Sequence, residues 1–275
     1  MTSHSPINYA GFTDMGKVRK RNEDALFADP INGLFIVADG MGGHASGNLA
    51  SKIVVETLPT VLLSRLDGIF NLSDPSAAQK TCQAIKELSD RVRSESEGKP
   101  GFSGMGSTVV LALARNGLAL VAHLGDSRAY LFRNGRLQKL TRDHSVVQIL
   151  FDAGELTQAE METHPAKNQI TRFVGMRGDA QPEARVVELA HGDRLLLCSD
   201  GLTGMVDETA ISKKLLEEAD TESACQALVK MANDAGGKDN ITVALMDWRG
   251  PQTARPDPDL YKTTVKVPIH KNPKG

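Results

Sequence analysis

Apolar positions along the chain switch between a period near two and a period near three and a half, and the switches mark out its elements. Within 108–141, the apolar runs 109–114, 118–124 and 129–132 are separated by Asn116-Gly117, Gly125-Asp126 and Asn134-Gly135. Asn-Gly between strand-like runs is the strongest short-range hairpin signal, because both turn residues must accept positive φ. The pattern predicts a four-stranded antiparallel meander. Further strands are expected over 34–38, 195–198 and 242–247, each a short apolar run ending close to an Asp. Helical spacing covers 48–63, 77–93, 208–218 behind an N-cap at Asp207, and 222–235 after Thr221. Thr157-x-x-Glu160 reads as a capping box that opens a short helix, closed by His164-Pro165. Helices and antiparallel strands therefore interleave.

From Gly250 the pattern lapses. Pro251, Pro256, Pro258, Pro268 and Pro273 fall among polar and basic residues without periodicity, so 250–275 is expected to be a disordered tail behind one domain spanning 1–249.

At 275 residues the chain can bury roughly three-quarters of its unfolded surface, so a sizeable core is available. Thirty-two Lys and Arg against 34 Asp and Glu leave a net charge of -2. No basic field exists to attract nucleic acid or an anionic membrane, and partners must be recognised locally. Cys82, Cys198 and Cys225 are odd in number and lack CxxC spacing, which argues against a disulfide framework or a Cys-rich zinc site and for a reducing compartment. No stretch approaches the roughly 18 apolar residues of a membrane span. The expected location is the cytoplasm.

Four places combine an acid with a structural reason for its exposure: Arg19-x-x-x-Glu23-Asp24, Val37-Ala38-Asp39-Gly40-Met41-Gly42-Gly43-His44, Cys198-Ser199-Asp200-Gly201 and Lys238-Asp239-Asn240. In the second and third, an apolar run delivers Asp to a strand end and Gly follows at once, allowing the backbone to bend and approach a ligand. If these ends converge, the acids repel one another unless a cation neutralises them. Oxygen donors without clustered Cys or His select hard ions such as Mg²⁺ or Mn²⁺ over zinc. Taken singly, an Asp-Gly is more often a turn than a ligand.

The motif order resembles the metal-dependent PPM family, the type 2C Ser/Thr protein phosphatases of bacterial type, across 11–247. The matching segments are Gly16-Lys17-Val18-Arg19-Lys20-Arg21-Asn22-Glu23-Asp24, Asp39-Gly40-Met41-Gly42-Gly43, Gly106-Ser107-Thr108, Gly125-Asp126-Ser127-Arg128-Ala129, Ser199-Asp200-Gly201-Leu202 and Asp239-Asn240-Ile241-Thr242-Val243. The resemblance implies an α+β fold, a four-layer α-β-β-α sandwich of two antiparallel sheets flanked by helices, with a small mobile flap over 145–182. It implies two Mn²⁺ or Mg²⁺ ions: Asp39 bridging them, Gly40 offering its carbonyl, Asp200 and Asp239 completing one site, Glu23 ordering the other with Asp24 behind it. Arg19 would hold the substrate phosphate. Two roles stay open for Asp126, ligand of a third and weaker ion or turn residue; two for Asn240, phosphate contact or loop shaping; and two for Arg172, peptide contact or solvated surface. Several eukaryotic relatives carry His after the Asp-Gly as a proposed general acid, whereas Met41 stands here and its thioether donates no proton. His44 reads as a structural histidine, and His123, His144, His164 and His191 carry no assigned chemistry.

The reaction so implied is direct attack on phosphoserine or phosphothreonine by a metal-activated water, opposing a cognate Ser/Thr kinase. Thiolate chemistry fails because the positions six after each Cys hold Leu88, Gly204 and Met231 rather than Arg. The only Asp-x-Asp, Asp257-Pro258-Asp259, lies in the Pro-rich tail, against aspartyl-phosphate chemistry. A two-metal nuclease is disfavoured by the balanced charge. A catalytically inactive phosphoprotein-binding module of the same fold is the rival from another class, and the complete acid set argues against it.

Overall fold

The computed structural model describes residues 6–42, 46–99, 102 and 104–250. The expectations for His44 and for the tail beyond Gly250 lie outside the described residues; Gly250 itself packs on the Trp248 ring. The elements in chain order are β1 (Ile7–Asp14), β2 (Asp24–Asp29), β3 (Leu34–Met41), α1 (Ser46–Arg65), α2 (Pro75–Ser96), β4 (Gly106–Ser107), β5 (Val109–Arg115), β6 (Leu118–Leu124), β7 (Arg128–Arg133), β8 (Arg136–Lys139), α3 (Val146–Asp152), α4 (Gln158–Thr163), β9 (Glu183–Glu188), β10 (Arg194–Cys198), α5 (Asp200–Thr203), α6 (Glu208–Glu217), α7 (Thr221–Asp234) and β11 (Ile241–Trp248).

One sheet runs β1-β11-β10-β7-β8 and the other β2-β3-β5-β6-β9, with β4 on β3, and every pairing is antiparallel. The period of two sorts each strand between cores. In β3, Leu34, Ile36 and Ala38 join α1 and α2 in an outer core, while Phe35 and Val37 face the opposite sheet. In β11, Ala244, Met246 and Trp248 enter the same inter-sheet layer, and Ile241, Val243 and Leu245 pack toward α6 and α7. The result is four layers, α-β-β-α.

One sequence expectation is corrected. The strands of 108–141 form two hairpins in two different sheets, not one meander: β5–β6 lies in one and β7–β8 in the other. The reason is local backbone chemistry. Asn116-Gly117 and Asn134-Gly135 both hold positive φ at both residues, 52° and 75° in the first and 52° and 73° in the second, as a type I′ turn requires. At Gly125-Asp126 only the glycine is positive, at 124°, so the chain crosses from sheet to sheet instead of folding back.

The helix over 222–235 also starts differently, with Asp220 as N-cap accepting the Ser223 N–H at 2.8 Å, because the Thr221 hydroxyl is engaged by Asn8 Nδ2. The capping box of Thr157 and Glu160 is present on α4, with His164 as its C-cap. Within 145–182, Gly175 is a docking point: its N–H donates to Ser89 Oγ at 2.9 Å. Arg172, about one-third exposed, places Nη1 3.3 Å from Glu183 Oε1.

Candidate metal centre

Strand parity aims the acids. Asp39 follows Phe35 and Val37 on the inter-sheet face of β3, and Asp24 stands directly opposite it in the β2–β3 register, on the same face. On the facing sheet, β10 ends at Cys198 and Asp200 opens the short α5, while Asp239 stands two residues before β11. The Gly125-Asp126-Ser127 crossover passes the same end of the gap. Asp39, Asp24, Asp126, Asp200 and Asp239 thus share one electrostatic neighbourhood at one mouth of the sandwich.

Burial and mutual repulsion push these carboxyls up. Burial raises Asp39 well above the usual carboxylate range, and the charges of Asp24, Asp200, Asp126 and Asp239 add to it. Asp126 is raised to about 8, first by burial and then by Asp200 and Asp143, with Arg128 opposing. Asp24 reaches about 7 through burial, held back by hydrogen bonds from Thr242 and Ser199 and lifted by Asp200 and Asp239. Asp200 is raised by burial and by Asp239, with a hydrogen bond from Asp39 partly opposing.

Asp24 Oδ2 accepts from Ser199 Oγ at 2.8 Å, but Asp24 Oδ1, Asp126 Oδ1 and Asp200 Oδ1 are buried without any hydrogen-bond partner. Unpaired carboxylate oxygens gathered in one low-dielectric pocket are a donor set for a hard divalent cation. The residues therefore fit Mg²⁺ or Mn²⁺.

The supports are equally specific. Asp39 N–H donates to Thr108 Oγ1 at 3.0 Å and Asp39 carbonyl accepts from Thr108 N–H at 2.8 Å, while Thr108 Oγ1 contacts Ser127 Oγ at 2.7 Å. Gly40 donates its N–H to the Glu23 carbonyl at 3.1 Å, and a Cβ on it would lie 2.1 Å from the Gly47 carbonyl, so glycine is required for the approach. The Glu23 carboxylate lies beside Gly47 at the start of α1. Asn240 spends its whole amide on the loop: Oδ1 accepts from Glu23 N–H at 2.8 Å, and Nδ2 donates to the Met15 and Arg21 carbonyls at 2.9 Å each. Of its two open roles, the geometry takes loop shaping. Arg19, about half exposed at the mouth, places Nη2 at 2.6 Å from Asp239 Oδ2. Asp239, then Asp39 and Glu23, raise its pKa against the opposing effect of burial.

Ser199, Thr108 and Ser127, which orient the acids, and His144, which holds the Asp126 crossover, carry no site role in the sequence pattern alone. Ser107-Thr108 and Ser127 sat within the matched segments, so position in a motif was the available signal. His144 offered none.

Comparison with known proteins finds relatives in sequence and in fold. The family model described as protein phosphatase 2C matches residues 17–246. A serine/threonine phosphatase, stp, from Listeria monocytogenes is 37% identical over 238 residues, covering 86% of this chain and 93% of that protein. Protein phosphatase PhpP of Streptococcus pneumoniae is 38% identical over 241 residues, covering 85% and 94%. A crystal structure of the catalytic domain of the phosphatase PstP with two manganese ions superposes with TM-score 0.74 at 34% identity, covering 88% of this chain and 97% of that one. With the family model matched over residues 17–246 and its acids gathered at one mouth of a four-layer sandwich, this chain belongs to the protein phosphatase 2C family.

Proposed function

We propose that this chain removes phosphate from phosphoserine and phosphothreonine in proteins, using a divalent pair held by Asp39, Asp200, Asp239, Glu23 and the Gly40 carbonyl, with Asp126 serving a third ion. The observation that carries the assignment is the set of buried, unpaired carboxylate oxygens at the mouth of the inter-sheet gap. When bound, such ions lower the pKa of water for in-line attack and neutralise charge on the phosphate oxygens.

The chain's own residues do the rest. Arg19 reaches from the mouth with a planar fork of donors suited to two phosphate oxygens. Asn240 fixes the loop that carries Arg19 and Glu23, and Asp24, anchored by Ser199, sets the negative field behind Asp39. Met41 supplies no proton to the leaving group. The inactive-module alternative finds no support, since no acid of the set is missing.

Phosphorylated proteins as substrates imply a Ser/Thr kinase that makes them, and we assign this chain the opposing step. Three buried, unpaired thiols fit a reducing compartment, the cytoplasm. Among the described residues no helix is long and apolar enough to cross a membrane. The test is phosphate release from a phosphothreonine peptide and from para-nitrophenyl phosphate after exhaustive chelation, with and without Mn²⁺ or Mg²⁺. Release should require the added ion; full turnover without it refutes the assignment.

A further inference from the structure

His144, buried in the flank of the site, takes up both polar backbone atoms of Gly125, the residue before Asp126. Its own N–H donates to the Gly125 carbonyl at 3.0 Å, and its ring Nδ1 accepts the Gly125 N–H at 3.1 Å. Gly125 is confined from the other side as well, since a Cβ there would stand 2.7 Å from the Thr108 side chain. The His144 carbonyl accepts from Thr171 N–H at 2.8 Å, and neighbouring Ser145 bridges to Ile170. One residue thus joins the Asp126 crossover to the segment 145–174.

The opposite edge of the ring faces a carboxylate. Nε2 lies 3.5 Å from Glu183 Oε1 and 3.5 Å from Arg172 Nη1, which itself approaches that carboxylate at 3.3 Å, and the ring stacks on His123 with centroids 4.6 Å apart. The Gly125 N–H at Nδ1 leaves the hydrogen on Nε2, directed at the carboxylate rather than the guanidinium. His123, His144 and Glu183 bring ligand atoms within 4.8 Å of one another, the spacing of a transition-metal site. Proton placement argues against that use. A neutral imidazole that accepts at Nδ1 carries its hydrogen on Nε2 and has no lone pair there for a cation. His123 Nε2 faces the Arg142 carbonyl at 2.8 Å and must donate to it, and the Arg172 guanidinium already supplies Glu183 with positive charge. Glu183 is held down to about 2, chiefly by the hydrogen bond from His144 and against the effect of burial, so its acceptor is a carboxylate at neutral pH.

We propose that His144 is a positioning residue for Asp126: its Nε2–H tautomer, oriented by Glu183, holds the Gly125-Asp126 crossover in place and couples it to the docking of the 145–174 segment. The inference rests on Asp126 serving an ion, as proposed above, and the function itself is tested separately by phosphate release from the wild-type protein.

Side-chain isosteres separate the two ring nitrogens. Asn presents its amide oxygen where the Nδ1 acceptor stands, and Gln presents its amide N–H where the Nε2 donor stands. His144→Asn should keep the Gly125 contact and retain most of the weakest Mn²⁺ binding event read by calorimetry. His144→Gln should weaken that event about 10-fold, the usual scale for a residue that orients a ligand. On a phosphopeptide at limiting Mn²⁺, His144→Gln should lower kcat more than it raises KM, and saturating Mn²⁺ should recover part of the loss. The pair Asp126→Asn with His144→Gln should be no worse in Mn²⁺ binding than Asp126→Asn alone. Equal damage from the Asn and Gln variants, additive losses in the pair, or an Asp126→Asn variant that keeps every Mn²⁺ event each overturn the proposal. Nitrogen-15 spectra of the wild-type imidazoles give a test independent of variant folding: His144 should carry its hydrogen on Nε2, and a hydrogen on Nδ1 overturns it.

Discussion

Asp126→Asn should stabilise the metal-free protein at pH 8 while leaving it no more stable than the wild type near pH 5. In the folded chain burial, with Asp200 and Asp143, raises the Asp126 carboxyl to about 8, whereas in the unfolded chain it titrates near about 3.9. Between those values the folded state binds more protons than the unfolded state, so stability falls as pH rises. The contribution is fully present below the unfolded pKa and lost once pH passes the folded one. A difference of about four units at about 1.4 kcal/mol each sets a ceiling on the order of 6 kcal/mol. Because Asp126 and Asp200 share one field, a proton on either relieves both, and about 3 kcal/mol is the expected share. The Asn amide, buried where Oδ1 has no partner, costs about 1 kcal/mol of that gain. The net of about 2 kcal/mol corresponds to a rise of roughly 4–8 °C in Tm for a chain of this size. Thermal melts of EDTA-treated protein at pH 5 and pH 8 read it directly. Mn²⁺ should reverse the order, because an ion that binds only the folded state adds stability in proportion to its affinity, and the variant binds less. A wild-type Tm that does not fall between pH 5 and pH 8, or a variant no more stable at pH 8, refutes the reasoning.

Asp39→Asn should lower turnover more than about 100-fold, exceeding the usual cost of losing a group that merely orients a ligand, with the circular dichroism spectrum unchanged. Arg19→Ala should raise KM roughly 10-fold, the loss of one charge-assisted hydrogen bond, with kcat less affected; an unchanged KM would remove it from phosphate binding. Asn240→Ala strands Glu23 N–H and the Met15 and Arg21 carbonyls, so its denaturant midpoint should fall by the equivalent of about 2 kcal/mol and its Mn²⁺ requirement should rise.

Much of this arrangement was legible in the chain because a strand's period of two carries information about direction. Once 34–38 reads as a strand buried on both faces, Asp39 must share a face with Phe35 and Val37. The long helices were equally plain, since α2 and α7 repeat their apolar residues at helical spacing and carry Asp at the N-cap. Besides the two-residue β4, the strands that escaped reading, β1, β2 and β9, lie at sheet edges, where one neighbour suffices and polar residues are tolerated. Ile7–Asp14 carries Asn8, Gly11, Thr13 and Asp14, and Glu183–Glu188 carries three charges in six residues, so neither shows a continuous apolar run. The meander failed because Gly-Asp imitates a hairpin turn, and only the φ values separate a reversal from a crossover. His144 was invisible for a related reason: its partner Gly125 is set by tertiary packing, which periodicity does not encode.

The strongest argument for a cation is the contrast between this site and the other buried acids of the same molecule. Asp143 is met by Arg128 at 2.7 Å and Lys139 at 2.8 Å, and its pKa is lowered although burial works against it. Asp193 is paired with Arg133, and Asp247 receives Arg194 at 2.8 Å. The fold therefore answers a buried carboxylate with a guanidinium or ammonium as a matter of course. Asp24, Asp39, Asp126 and Asp200 have no such partner among the described residues, and their carboxyls move opposite to that of Asp143; Asp247 is also raised by burial, with Arg194 opposing. Only Asp239, at the rim, has Arg19. An uncompensated buried charge costs several kcal/mol, and four at one mouth is an expense no packing gain nearby offsets. Their compensation must come from outside the chain, as a small hard cation that binds when the protein is folded. The instability of the metal-free site at high pH and its affinity for Mn²⁺ are then one property measured in two ways, and a substitution that relieves the first must weaken the second.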